Sequence, residues 1–135
     1  MAEIDWDRLF EEADRARERA VAPYSHFHVG AAVLTREGRV YTGCNVEVSS
    51  YSLTLCAERV ALFKALSEGE RDFVAVAVVA DAEQPTPPCG ACRQVIWDFA
   101  RRAQIGMRGE SGEVKILRAD ELFPEAFDQD FLPET

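Results

Sequence analysis

Residues Phe73–Ala80 have the sequence FVAVAVVA, which contains no polar side chain. Its valines favour an extended strand. A strand that is apolar at every position, rather than at alternate positions, is typical of a strand covered on both faces. The stretch therefore predicts a strand that is covered on both faces by helices.

The segments around this strand alternate between helical and extended patterns. Helices are predicted from an Asp5 cap to about Val21, from about Cys56 to near Gly69, and from about Gly90 to Arg102, with a short helix from Asp120. Further strands are predicted at about His28–Thr35, Arg39–Cys44, Gln104–Arg108 and Glu113–Leu117. This order predicts an α/β fold, a three-layer sandwich with a mixed five-stranded sheet between helices, as a single domain over residues 1–135.

The composition and the N-terminal sequence indicate the compartment in which the protein is expected to function. At 135 residues and 47% hydrophobic, the chain is long enough to bury about two-thirds of its unfolded surface. The N-terminus is acidic and lacks the basic patch and apolar run of a signal peptide, and Phe73–Ala80 is too short to span a bilayer. Four cysteines without a secretory signal favour reduced thiols. We expect a cytoplasmic protein with no membrane partner.

Two short cysteine clusters carry the chemistry. They are CAER at residues 56–59 and PCGACR at residues 88–93. The thiolates of Cys56, Cys89 and Cys92 supply three corners of a zinc tetrahedron and leave the fourth for water, as in catalytic zinc sites. Each lies at a predicted helix N-terminus, where thiolates are stabilised. Glu58 is placed to carry protons to and from that water.

Other interpretations of these cysteines remain open. With Cys44 as a fourth ligand, the site could be a closed structural zinc site. Cys89 and Cys92 could also form a redox pair, although such motifs lack a third cysteine and a glutamate. Cys44 ends a predicted strand in which Asn45 and Glu47 share the opposite face, so it is expected to point away from the site. Neither His26 nor His28 is expected to bind the metal.

The combination of Cys-Ala-Glu with Pro-Cys-x-x-Cys resembles the cytidine deaminase family, in its small, all-cysteine form. The resemblance extends along nearly the whole chain, through PYSHF at 23–27, VGAA at 29–32, GCNVE at 43–47 and LFPEAF at 122–127. It implies one Zn²⁺ per chain, held by Cys56, Cys89 and Cys92, with Glu58 as the catalytic acid and base. It also implies assembly into a homotetramer.

The same resemblance implies roles for further residues. Phe27 would line the nucleoside pocket, Asn45 and Glu47 would hold the sugar hydroxyls, Ala57 would lie against the base edge, Arg59 would donate to the thiolates, and Phe127 would reach a neighbouring subunit's pocket. One residue departs from the family pattern. The family commonly has an asparagine after the glutamate, where this chain has Val48, and this change could alter the loop and the substrate range.

The predicted activity is hydrolytic deamination of cytidine and deoxycytidine to uridine and deoxyuridine, with release of ammonia, as in pyrimidine salvage. The net charge of −9, with 24 acidic against 15 basic residues, disfavours a nucleic-acid partner because phosphate binding requires a basic surface. A small uncharged nucleoside is the expected substrate. The alternatives are a related aminohydrolase acting on a modified cytosine nucleoside or nucleoside antibiotic, and a non-catalytic zinc module.

Overall fold

The fold is built on a mixed five-stranded sheet, seen in a computed structural model that describes residues 3–133. The strands are β1 (Val29–Thr35), β2 (Val40–Cys44), β3 (Phe73–Ala80), β4 (Gln104–Arg108) and β5 (Val114–Arg118). Their order across the sheet is β2-β1-β3-β4-β5. Strands β3 and β4 are parallel, and the other neighbouring pairs are antiparallel. The predicted mixed five-stranded sheet is confirmed, and the predicted strand Phe73–Ala80 lies at its centre.

Helices lie on both faces of this sheet. They are α1 (Trp6–Arg17), α2 (Ala57–Ser67), α3 (Gly90–Phe99) and α4 (Ala119–Leu122), with 3₁₀ turns at Tyr51–Leu53 and Gln129–Phe131. The side chains of β3 show how the layers are arranged. Ala75, Ala77 and Val79 pack into a core with α1, whereas Val76 and Val78 pack into a core with α2 and α3. Because neighbouring residues of a strand point to opposite faces, the three-layer sandwich is confirmed.

Two glycines let the helices rest directly on the sheet backbone. A Cβ atom at Gly30 would lie 1.9 Å from the carbonyl oxygen of Ala13 in α1, and one at Gly43 would lie 2.5 Å from the amide nitrogen of Ala61 in α2. Both distances are too short for any side chain. The close approach at Gly43 fixes the position of α2, the helix that follows Cys56.

Two predicted helix ends were wrong. The first helix ends at Arg17 rather than Val21, because the amide of Val21 donates to the carbonyl of Asn45 at 2.9 Å and so pairs in a strand-like manner. The third helix ends at Phe99 rather than Arg102, because the chain has to turn before it enters β4. Among the described residues, none of the helices combines the length and the apolar character needed to cross a membrane.

Candidate active site

Three thiols meet where α2 and α3 begin. Cys56 is the N-cap of α2, Cys89 is the N-cap of α3, and Cys92 lies in the first turn of α3. The Sγ atom of Cys89 is 3.5 Å from that of Cys56 and 3.5 Å from that of Cys92, and all three lie within 4.8 Å of one another. A tetrahedral zinc ion with Zn–S bonds of about 2.3 Å keeps its sulfurs roughly 3.8 Å apart. The three thiols therefore match the ligand set of a metal ion.

The surroundings of the thiols favour their ionised form at Cys56. The first amide groups of a helix have no partner within it and make its N-terminus electropositive. A hydrogen bond with Cys92, together with the Arg59 guanidinium, lowers the pKa of Cys56 to about 5 against the opposing effect of burial. The pKa of Cys92 is raised, first by its hydrogen bond with Cys56 and then by burial. Cys56 is therefore ionised at neutral pH, which suits a metal ligand.

Arg59 lies beside this charge. Its Nη2 atom is 3.4 Å from the Sγ atom of Cys56 and 3.4 Å from the carbonyl oxygen of Thr54. The Arg59 Nε atom is buried without a hydrogen-bond partner. Three thiolates and a divalent cation together carry a net charge of −1, and a guanidinium with an unused N–H next to a thiolate is suited to offset it. The contact with Cys56 is the one expected of Arg59, and its part in balancing the charge of a bound metal stays a prediction.

Glu58 is the buried carboxyl of the site. It is the second residue of α2 and is only 5% exposed. Burial, and to a smaller extent the charge of Cys56, raises the pKa of Glu58 to about 7. A carboxyl that titrates near neutral pH can both accept and donate a proton during a reaction. A carboxyl with this pKa suits the predicted proton carrier, and the catalytic role of Glu58 stays a prediction.

Cys44 lies on the other side of the sheet. It pairs with Gly30 of β1, and directly paired residues of an antiparallel ladder point to the same face. Since Gly30 packs against α1, Cys44 faces α1 and points away from the other thiols. Within residues 3–133, the three clustered cysteines form the only group of three or more potential ligands. The closed four-cysteine site is therefore not formed there, and neither His26 nor His28 joins the cluster.

Glu47 organises the segment that precedes β1. Its carboxylate accepts hydrogen bonds from the amides of Tyr24 at 3.0 Å and Ser25 at 3.1 Å, and from the Ser25 hydroxyl. These bonds, led by the one from the Ser25 hydroxyl, lower the pKa of Glu47. The Ser25 Oγ atom in turn accepts from the amide of Phe27 at 3.0 Å. Ser25 thus links Glu47 to Phe27, a role that sequence reasoning missed because a loop serine carries no distinguishing pattern.

Asn45 holds the backbone on both sides of His28. Its Nδ2 atom donates to the carbonyl of Phe27 at 2.8 Å, and its Oδ1 atom accepts from the amide of Val29 at 2.9 Å. Asn45 is only 8% exposed, yet a carboxamide retains one further N–H and one further lone pair. The predicted contact of Asn45 with a sugar hydroxyl stays a prediction, and a backbone-holding role is added to it.

The segment that contains Asn45 and Glu47 lies next to the thiols. Val46 exchanges two backbone hydrogen bonds of 3.0 Å with Leu55, the residue immediately before Cys56. Ala57, directly after Cys56, is fully buried at the start of α2. The segment that contains Asn45 and Glu47 is therefore paired with the residues that lead into the cluster of three cysteines.

Phe127 is placed apart, on the C-terminal tail. Its ring is 54% exposed and stacks on Phe131 with ring centroids 5.8 Å apart. Its carbonyl accepts a hydrogen bond of 2.9 Å from Gln94 of α3. Phe127 does not enter the core of its own chain, so an aromatic side chain remains available at the surface.

Known proteins share this sequence and architecture. Residues 4–107 match the family described as "Cytidine and deoxycytidylate deaminase zinc-binding region". A cytidine deaminase of Sporosarcina psychrophila is 48% identical over 96% of this chain and 96% of its own length. One of Halalkalibacterium halodurans is 50% identical over 92% of this chain and 95% of its own length. The crystal structure of cytidine deaminase from Burkholderia pseudomallei aligns with a TM-score of 0.89 at 46% identity, covering 92% of this chain and all of that one.

Proposed function

The chain belongs to the cytidine and deoxycytidylate deaminase family, and on that premise we propose that it hydrolyses cytidine and deoxycytidine to uridine and deoxyuridine with release of ammonia. One observation carries the proposal. A buried carboxyl, Glu58, lies two residues after Cys56, one of three clustered thiols at two helix N-termini. A purely structural zinc site has no use for a buried carboxyl that titrates near pH 7. The placement is that of a proton carrier beside a metal.

The fit of the donor set identifies the resident metal as zinc, with one ion per chain. Cys56, Cys89 and Cys92 would hold it, and the bound ion would supply the Lewis acidity that makes water a nucleophile near neutral pH. Arg59, whose Nη2 atom lies 3.4 Å from the Sγ atom of Cys56, would offset the excess negative charge of the thiolates.

Glu58 performs the proton transfers. It accepts a proton from the attacking water as the water oxygen adds to C4 of the cytosine ring, and it delivers that proton to N3. It then carries the remaining water proton to the 4-amino group, which leaves as ammonia while C4 retains the oxygen as a carbonyl. Because the carboxyl is shielded from solvent, its protons are not lost to bulk water between these steps.

The remaining predicted residues would bind the nucleoside. Phe27 would pack against the substrate, while Glu47 and Asn45 would take the sugar hydroxyls through the lone pairs and the N–H that their backbone contacts leave free. Backbone groups at Ala57 and Cys89 would contact the edge of the base. None of these contacts requires a charged substrate, which suits a chain of net charge −9.

We further propose that the protein works as a cytoplasmic homotetramer in which Phe127 covers a nucleoside bound to a neighbouring subunit. The exposed ring of Phe127 supports this assignment, because an aromatic stacked on a base excludes water from the reaction. Phe127→Ala and Glu58→Gln are each expected to be poor enzymes alone and to regain activity when refolded together, since a mixed oligomer then contains complete sites. If each chain used its own Phe127, no activity would return.

A spectrophotometric assay tests the activity itself. Cytidine and deoxycytidine should be deaminated, whereas free cytosine and adenosine should not, and a strong zinc chelator should abolish turnover. A modified cytosine nucleoside included in the same series tests the alternative substrate class. Preference for that compound over cytidine would favour the alternative aminohydrolase, and zinc-loaded protein that deaminates none of them would favour a non-catalytic module.

A further inference from the structure

We propose that Asp81 is a positioning residue that fixes Phe27 by holding the backbone at His28. The proposal rests on the proposed function of Phe27 as part of the nucleoside pocket. Asp81 directly follows β3, and His28 directly precedes β1. The two residues are 53 positions apart in the sequence and meet where the β1–β3 ladder ends.

The side chain of Asp81 takes the place of a backbone acceptor. In an antiparallel ladder, a hydrogen-bonded pair exchanges two backbone bonds. Here the amide of Asp81 donates to the carbonyl of His28 at 3.0 Å, but the amide of His28 donates to the carboxylate Oδ2 atom of Asp81 at 2.9 Å. The same Oδ2 atom lies 2.6 Å from the His28 Nδ1 atom. The carboxylate therefore forms the last hydrogen bond of the ladder and binds both the backbone and the ring of His28.

This contact completes the hydrogen bonding of the backbone around Phe27. The amide of Phe27 is held by Ser25, its carbonyl by the side chain of Asn45, and the amide of Val29 by the same side chain. The amide and the carbonyl of His28 are both held by Asp81. Asn45 and Asp81 thus bind the same two peptide units, Phe27–His28 and His28–Val29, and removing the Asp81 carboxylate leaves the amide of His28 without its acceptor.

Arg17 orients the carboxylate from the α1 side of the sheet. Its Nη1 atom donates to the carbonyl of Ala80 at 3.1 Å and lies 3.3 Å from the Oδ1 atom of Asp81. Arg17 is itself paired with Asp14 at 3.0 Å. The two oxygens of Asp81 therefore have separate partners, so the carboxylate cannot rotate freely away from His28.

The role of Asp81 can be separated from the chemical step. Asp81 belongs to neither the thiol cluster nor the surroundings of Glu58, so its loss should weaken substrate binding and leave zinc content and proton transfer intact. We expect Asp81→Ala to raise KM for cytidine roughly tenfold, the size of one lost charge-assisted hydrogen bond, with kcat changed less than about twofold. Asp81→Asn keeps an acceptor oxygen for the His28 amide and should recover most of the affinity.

The matched control lies at the other end of the same strand. Asp72 directly precedes β3 and accepts an exposed hydrogen bond of 2.6 Å from the Nε atom of Arg36. Asp72→Ala removes a carboxylate of the same type without touching the segment of Phe27, so it should leave KM unchanged. An equal rise in KM for both variants would show a general effect on β3 and overturn the proposal.

A double-mutant cycle tests whether Asp81 acts through Phe27. If it does, Asp81→Ala should add little to the rise in KM that Phe27→Ala causes alone, because residues acting through one another are not additive. Fully additive changes would overturn the proposal while leaving the pocket role of Phe27 in place. No effect of Phe27→Ala on KM would overturn both that role and the route proposed for Asp81.

Amide hydrogen exchange gives a readout independent of catalysis. The His28 amide should exchange faster in Asp81→Ala than in the wild type, and should be unchanged in Asp72→Ala. Unchanged protection in Asp81→Ala would overturn the proposal even for an active enzyme.

If Asp81→Ala does not fold, the same measurements are made on Asp81→Asn. Loss of the Arg17 contact alone should cause a smaller change in the same direction. If the wild type is inactive on cytidine, the proposed function is wrong. The exchange result would still show whether Asp81 holds the backbone at His28.

Discussion

The helices on the two faces of the sheet differ in whether their charged side chains are buried or lie near the surface. On one face, α1 buries an apolar stripe of Leu9, Phe10, Ala13 and Ala16, and its carboxylates pair with arginines near the surface, as Asp14 does with Arg17. On the other face, α2 is apolar on most sides, yet it buries the carboxyl of Glu58. The Nε atom of Arg59, one residue later, is buried without a partner.

This difference separates a packing helix from a helix that carries chemistry. Burying an ionisable group or an unpaired donor costs stability, so a helix that serves only to pack keeps such groups outside, as α1 does. Violations of this rule are expected at functional sites. Changes to the thiols and the buried carboxyl on the α2 side should therefore affect metal binding and turnover, whereas changes in the apolar stripe of α1 should affect stability.

Removing a thiol from the α2–α3 side should have the largest effect. Cys56→Ala, Cys89→Ala and Cys92→Ala should each bring the zinc content, measured by atomic spectroscopy, from about one per chain to near zero and abolish turnover. Cys44→Ala is the matched control on the α1 face and should keep its zinc and most of its activity. Loss of zinc from Cys44→Ala would break the comparison between the two faces.

Replacing the buried carboxyl should come next in size. Glu58→Gln keeps the thiols and the shape of the side chain, so zinc content should stay near one per chain while kcat falls by about a hundred- to ten-thousand-fold. Glu11→Gln makes the same change at an exposed position of α1 and should leave kcat unchanged. A zinc-loaded Glu58→Gln protein with near-normal kcat would rule out the proposed proton carrier.

A core change in α1 should show the opposite pattern. Leu9 is 1% exposed in the core between α1 and the sheet, so Leu9→Ala should lower the free energy of unfolding by about 2–5 kcal/mol, measured by urea denaturation. At temperatures where the variant stays folded, its zinc content and kcat should match the wild type. A loss of kcat in fully folded Leu9→Ala would show that α1 has a part in the chemistry.

The smallest expected effect concerns the ion pair between Arg39 and Glu70, which is only 7% exposed, and its pH dependence. Hydrogen bonds from Arg39 and then Tyr41 lower the pKa of Glu70 to about 2 from an ordinary value of 4.5. A carboxyl whose pKa is lower in the folded state stabilises the protein above its unfolded pKa and loses that contribution as the pH falls through the folded value. The difference in Tm between wild type and Glu70→Gln should therefore be constant above about pH 5 and shrink towards pH 2. A difference that does not vary with pH would contradict the assigned cause.

The elements were largely predictable because their signals are local. The bounds of β3 and β4 and the start of α1 at the Asp5 cap follow from apolar runs and capping chemistry within a few residues. The end of α1 was mispredicted because it depends on a distant partner, the carbonyl of Asn45, which draws Val21 into strand-like pairing. Local propensity contains no information about that partner.

The ligand types, the carboxyl beside them and the strand that needs cover on both faces could be predicted, because each is a matter of side-chain chemistry and short-range pattern. Which distant groups meet could not be predicted in this way, because it depends on the folded arrangement of the chain. Cys56 and Cys89 come within 3.5 Å although they are 33 residues apart, and Asp81 reaches His28 across 53 residues. These contacts depend on strand order and on which helices share a face of the sheet. Such choices are set by packing of the whole core rather than by any single segment.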